Sequence, residues 1–303
     1  HDLLRYGDAG DALTHFVLVP GNPGIPRYYA AFASTLAAQH DATVAVLGLL
    51  GHTEAPPHPK ADRTTPFHLN DQCDHVASFL RDEVQDIDGS GTSLVIVGHS
   101  IGAYIAFAAA ERASADDAVV ARFVTTQTTA IGLMPFLETN ELPPLRARVA
   151  GIKWLGNALV IRAIALAAHL VGMLPRRLVS TILRSSTAEF DEEARYLTET
   201  AIPRWNTILN VLTLFRAEAL ALDRPYDYRA LRKRFGGRVG LLTAAGDTDY
   251  WAPSSVLASA SVAGIATCAC MGVPHAFSVN EATRDAVAEA VDGLLLEVVD
   301  RRH

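Results

Sequence analysis

Apolar residues in this chain follow two rhythms. Short unbroken runs predict strands at His15 to Val19 (HFVLV), Thr43 to Leu47 (TVAVL), Leu94 to Val97 (LVIV), Phe123 to Thr126 (FVTT), Val239 to Thr243 (VGLLT) and Ala266 to Ala269. Between them the spacing turns helical. Tyr28 to Ala38 carries such a pattern, and Val76, Phe79, Leu80 and Val84 share one face of a helix over Phe67 to Val84. An Ala-rich helix follows at Ile101 to Ala113. Asn280 predicts the N-cap of a last helix whose stripe is Val287, Val291, Leu294, Leu295 and Val298. The strand runs do not alternate with polar residues, as expected when helices cover both faces of a sheet. Strands separated by helices imply right-handed crossovers, so the fold class is α/β with a mostly parallel sheet.

One gap breaks this regularity. More than a hundred residues separate the fourth and fifth predicted strands, whereas a crossover needs only about a dozen. The expectation is a core built from residues 1–130 and 239–303, with a helical cap or lid inserted at 131–238. Within the insertion, residues 149–174 read VAGIKWLGNALVIRAIALAAHLVGML. Lys153, Arg162 and His169 interrupt this stretch and Pro175 ends it. An arginine at the bilayer centre costs roughly 2.5–3.5 kcal/mol, so a buried or surface-lying helical hairpin is expected rather than a span.

Gly98-His99-Ser100-Ile101-Gly102 fits G-x-S-x-G, between a predicted strand and a predicted helix. That setting resembles the nucleophile elbow of the α/β-hydrolase fold. The tight turn aims the Ser100 hydroxyl outward, and the two glycines leave room for the close packing the turn forces. An oxyanion hole needs two N–H donors. Ile101 supplies one from the residue after the nucleophile. The loop Val19-Pro20-Gly21-Asn22-Pro23-Gly24 supplies the other. Only Gly21, Asn22 and Gly24 can donate there, because proline has no N–H; Asn22, directly after the glycine, is the choice.

The same fold places an acid and then a histidine after the serine. Ala244 to Pro253 and Gly272 to Phe277 are loops at strand ends, where such sheets build their sites. His275 is the histidine in the right place to act as base. The acid is Asp249 or Asp247, and the register between Gly246 and Pro253 favours Asp249. His52 and Thr53 follow the second strand and stand where they could rim a pocket.

Charge and cysteine content narrow the alternatives. The net charge is −7, and the basic runs Arg176-Arg177 and Arg232-Lys233-Arg234 read as solvated helix ends, so no nucleic-acid partner is expected. Cys73, Cys268 and Cys270 lack a disulfide or metal spacing and suit a reducing compartment. No metal or organic cofactor is expected. The start, His1 to Arg5, shows no secretory pattern, and a cytoplasmic location is expected.

Taken together, VLVPGNPGIPRYY at 17–29, GHSIGAYIA at 98–106, GDTDYWAP at 246–253 and PHAF at 274–277 resemble the lipid droplet-associated hydrolase family. The PGNPG loop and the Asp-x-Trp-x-Pro piece at 249–253 are its most specific parts. The resemblance implies a serine ester hydrolase with Ser100, Asp249 and His275 as triad, acting on lipid esters such as sterol esters or acylglycerols. It also implies contact with a lipid droplet or endoplasmic reticulum surface through the cap. A capped, apolar pocket predicts a preference for long acyl chains.

Overall fold

The computed structural model describes residues 2–8, 12–54, 65–87, 92–125, 127–139, 158–245, 249 and 251–300. Among them, strands β1 (Leu3–Tyr6), β2 (Thr14–Val19), β3 (Thr43–Leu47), β4 (Ser93–His99), β5 (Thr129–Leu133), β6 (Val239–Ala244) and β7 (Ala266–Cys270) form one sheet. Its order is β1-β3-β2-β4-β5-β6-β7. All pairings are parallel except that of β1 with β3.

The unbroken apolar runs are the central strands, and alternate side chains feed two separate cores. Val17 and Val19 of β2 pack with α2 (Leu69–Asp86) through Leu80 and Val84, and with α3 (Ile101–Ala113) through Ile105 and Ala109. Phe16 and Leu18 point the other way, to Phe32 and Leu36 of α1 (Ala30–His40). On that side they also meet Val287, Val291 and Leu294 of the final helix, Glu281–Asp300. Each such buried Leu, Val or Phe side chain contributes about 1.5–3 kcal/mol. Asn280 caps that final helix as expected, its Oδ1 accepting from Ala282 N–H at 3.1 Å.

Three features depart from the sequence reading. Phe123 to Thr125 lie at the end of a helix, α4 (Asp117–Thr125), and not in a strand. Val119 of α4 is buried while Val120 and Val124 face solvent, so an amphipathic helix claims this segment. The strand beside β4 is Thr129–Leu133, a fully buried run that suits a position between two parallel neighbours. Residues 131–133, assigned in sequence to the insertion, therefore finish a central strand. The third departure is β1, an edge strand whose exposure alternates; four residues carried too little pattern to be read.

Between β5 and β6 come α5 (Ala158–Gly172), α6 (Arg176–Leu183), α7 (Glu192–Thr200), α8 (Trp205–Ala221) and α9 (Tyr228–Arg234). Helix α9 and the residue after it belong to the sheet's packing: Leu231 and Phe235 join the core of α3, with Phe235 edge-on to Phe107 at 6.4 Å. Helices α5 and α8 pack together through Ile161, Ala165 and Leu209. Residues 149–157 of the apolar segment lie outside the described residues. No helix among the described residues is long and apolar enough to cross a membrane.

The order of strands explains where a site can form. From β2 the chain moves to β3 on one side and then back to β4 on the other. Loops leaving β2 and β4 thus diverge and open a crevice at the carboxyl ends of the strands.

Candidate active site

At that crevice β4 ends in the elbow. Ser100 holds φ 54° and ψ −125°, a left-handed conformation that costs a non-glycine residue about 1–3 kcal/mol. Its backbone is tied down: Ser100 N–H donates to Leu133 O at 2.9 Å, and Ser100 O accepts from Phe136 N–H at 3.0 Å. The two glycines are there because nothing larger fits. A Cβ on Gly98 would stand 2.4 Å from Ala103 Cα, and one on Gly102 would stand 2.3 Å from the carbonyl oxygens of Val19 and Pro20.

The structure brings the three predicted side chains into one chain of hydrogen bonds. Ser100 Oγ lies 2.8 Å from His275 Nε2. His275 Nδ1 lies 2.8 Å and 3.0 Å from the two carboxylate oxygens of Asp249. Asp249 is buried, and its Oδ1 also accepts from Trp251 N–H and Ala252 N–H at 2.9 and 3.2 Å. Burial pushes the Asp249 carboxyl up. The His275 hydrogen bond and charge, with the two N–H groups, outweigh that and hold it below its ordinary value. Asp247 lies outside the described residues.

The loop after β2 passes directly over the serine, since a Cβ on Gly21 would stand 3.1 Å from Ser100 Cβ. Its donors are largely spoken for. Gly21 N–H donates to Tyr29 Oη at 3.0 Å, and Gly24 N–H donates to His52 Nδ1 at 2.9 Å. His52 is buried and does not rim the cavity; burial holds its imidazole down to about 3, so it stays neutral and accepts. Among the described residues, the N–H groups of Asn22 and Ile101 have no acceptor. The Asn22–Pro23 peptide is cis.

A cavity of about 280 Å³ opens on Ser100 and His275. Its walls are mostly apolar, from Tyr28, Phe190, Ile202, Val211 and Val279, with Thr198 hydrogen-bonded to Tyr28 Oη at 2.7 Å. The arrangement provides a hydroxyl with a proton acceptor in reach, an oriented acceptor, and free N–H groups beside it. Those are the parts of nucleophilic acyl transfer.

Three residues of the site escaped the sequence reading. Tyr29 and His99 lie buried beside Gly21 and His275, and Glu218 of α8 meets the Asn22 side chain. His99 stands at the free position of G-x-S-x-G, and Tyr29 closes the quoted PGNPGIPRYY stretch. An aromatic ring in a strand-end loop looks like ordinary core, so nothing marked them out. No local signal links Glu218 to a loop 196 residues away.

Solved structures share this architecture at low identity. A thermophilic esterase from Thermogutta terrifontis is 15% identical with a TM-score of 0.60, covering 98% of this chain and 93% of that one. A soluble variant of monoglyceride lipase from Saccharomyces cerevisiae is 12% identical with a TM-score of 0.60, covering 98% and 90%. At such identity they establish the α/β-hydrolase fold alone. Lipid droplet-associated hydrolase of Gallus gallus is 34% identical over 109 residues, 33% of this chain and 32% of the relative. The chain thus spans about a third of the length of the curated relatives it matches. The family model described as lipid-droplet associated hydrolase matches residues 13–278, from β2 past His275, so the chain belongs to that family.

Proposed function

We propose that this chain is a serine carboxylic ester hydrolase that works on apolar esters through an acyl-enzyme. The observation that carries the reading is the continuous line Asp249–His275–Ser100, each bond at 3.0 Å or less. His275 Nε2 takes the Ser100 proton as Oγ attacks the ester carbonyl carbon. The carbonyl oxygen becomes an oxyanion and is met by the N–H groups of Asn22 and Ile101. His275, held by Asp249, then passes its proton to the leaving alcohol oxygen. Water enters, gives a proton to His275 and attacks the acyl carbon. Ser100 recovers its proton and the acid departs.

The cavity bears on the choice of ester. Its mostly apolar walls, around a volume of about 280 Å³ beside Ser100, favour an apolar acyl group there.

The relatives are named for lipid droplets, and the exposed side chains of α5 and α6 suit such a surface. Leu159, Leu166, Leu170, Leu178 and Ile182 are exposed there, together with Met173 and Leu174 between the helices. Several apolar side chains exposed on two successive helices suit an interaction face. It also favours a second reading, in which the chain organises a lipid surface and hydrolyses slowly. Covalent labelling by a fluorophosphonate, wild type against Ser100→Ala, separates the two. Labelling that disappears in Ser100→Ala supports the hydrolase. Folded wild type that stays unlabelled, with and without a lipid emulsion, rejects it and leaves the organising role.

A further inference from the structure

Beside the reacting groups runs a second, unused line of hydrogen bonds. Gly21 N–H donates to Tyr29 Oη at 3.0 Å. Tyr29 Oη lies 2.6 Å from His99 Nδ1. His99 Nε2 lies 2.9 Å from the His275 carbonyl oxygen. Tyr29 and His99 are both buried, and Phe277 packs edge-on against each at 6.4 and 5.1 Å.

The direction of this line is fixed by chemistry. A carbonyl only accepts, so His99 Nε2 must carry the proton. A neutral imidazole then has Nδ1 as acceptor, so Tyr29 must donate its O–H to it. The Tyr29 oxygen is left to accept from Gly21 N–H. Every polar atom is satisfied by one arrangement only. Burial first, and then the neighbouring His275, push the His99 imidazole down to about 3, so the ring stays neutral. Burial likewise raises the Tyr29 phenol, keeping its proton.

The two ends of the line are informative. Gly21 precedes Asn22, whose N–H is the donor to the oxyanion in the proposed mechanism. The His275 carbonyl belongs to the residue whose ring is the base. Between them stands His99, the residue before Ser100. Three loops from different parts of the chain are thereby tied at one point. With Gly21 N–H engaged by Tyr29, the next N–H of the loop, that of Asn22, has no acceptor among the described residues.

We propose that Tyr29 and His99 are positioning residues, a one-way relay that holds the oxyanion loop and the base loop in register around Ser100. The relay rests on the ester-hydrolase reading above. It acts on the transition state through the placement of Asn22 and His275, so its loss appears in kcat. Displacing reacting groups by about 1 Å costs on the order of 100-fold.

The test uses the whole chain with Tyr29→Phe, His99→Leu and His99→Gln. Tyr29→Phe leaves Gly21 N–H and His99 Nδ1 unpaired; kcat on a medium-chain nitrophenyl ester falls about 10- to 100-fold with KM within about threefold. His99→Leu falls similarly, and the double variant with Tyr29→Phe is no worse than His99→Leu alone, since both break one line. His99→Gln keeps an acceptor and a donor and restores activity to within about fivefold of wild type. Nitrogen NMR of the imidazoles reads the relay without turnover: His99 stays in the neutral Nε2–H form from pH 5 to 9. Unchanged kcat in Tyr29→Phe, a His99→Gln as poor as His99→Leu, or a rise confined to KM overturns the positioning role. A His99 that titrates near pH 6.5 or carries its proton on Nδ1 overturns the relay itself. Wild type that neither labels with fluorophosphonate nor turns over ester removes the hydrolase reading and the positioning role together, while the NMR result still decides whether the relay exists.

Discussion

Asn22 Nδ2 donates to Glu218 Oε1 at 3.1 Å, joining the loop after β2 to helix α8. The same amide nitrogen donates to Val211 O at 3.0 Å. Glu218 is buried, and burial raises its carboxyl to about 8, opposed by the Asn22 hydrogen bond. Its ordinary value is 4.5. Between those pH values the folded chain keeps a proton that the unfolded chain has lost. The favourable contribution is whole below pH 4.5, declines as pH rises, and is gone above about 8.

Glu218→Gln keeps the shape of the neutral acid and removes the titration. Its stability therefore exceeds that of wild type increasingly from pH 5 to about pH 8 and then levels off, by on the order of 5 kcal/mol at the upper end, given about 1.4 kcal/mol per pKa unit. Denaturant unfolding at several pH values measures this. Parallel curves for the two proteins contradict a buried neutral Glu218.

Asp249→Asn tests the other carboxyl. Asparagine keeps the acceptor for Trp251 and Ala252 N–H yet turns an NH₂ group or a neutral oxygen toward His275 Nδ1. The favoured imidazole tautomer is then the wrong one for taking the Ser100 proton, and kcat falls about 10³- to 10⁴-fold. KM and the thermal midpoint change little. Steady-state kinetics with a calorimetric scan checks both, and a loss below tenfold argues against Asp249 as the orienting acid.

Gly102→Ala pushes a methyl into the Val19 and Pro20 carbonyl oxygens at 2.3 Å, both of them backbone. The elbow must move away from the loop after β2, at about 1–3 kcal/mol. Activity drops more than stability, because the two donors are set by this contact. Equal losses in a thermal shift assay and in kcat would point to simple unfolding.

Leu170→Glu with Ile182→Glu tests the exposed face of α5 and α6. Each burial on lipid is worth about 1.5–3 kcal/mol, so affinity for emulsion droplets falls at least tenfold in flotation. Turnover of a small soluble ester stays within about twofold. An acyl series belongs beside it: with mostly apolar walls beside Ser100, kcat/KM is expected to rise as the acyl chain lengthens from two carbons, and a flat series would count against an apolar acyl site.

Much of this was legible in sequence for a definite reason. Ser100, Ile101 and Asn22 sit in short motifs whose backbone geometry is set by glycine and proline, and Asp249 and His275 sit where chain order puts them. Local constraints of this kind survive without tertiary information. The segment Phe123–Thr125 failed because β-branched and aromatic residues also suit an amphipathic helix, and its neighbour at 129–133 was the better buried strand. Tyr29, His99 and Glu218 could not be read, because their partners lie 8 to 196 residues away and no spacing announces them.

Ser100 and His275 are separated by 175 positions and Asn22 by a further 78 before the serine. No continuous fragment shorter than nearly the whole chain holds both donor loop and base. Sites assembled from such distant segments close late, after the loop entropy of the long contacts has been overcome. A chain emerging from synthesis therefore exposes its serine long before anything can activate it. On the proposed mechanism, fluorophosphonate reactivity is thus also a clock for folding: its onset after dilution from denaturant is expected to mark the docking of the last strand, β7, and a fragment ending before residue 266 should never acquire it.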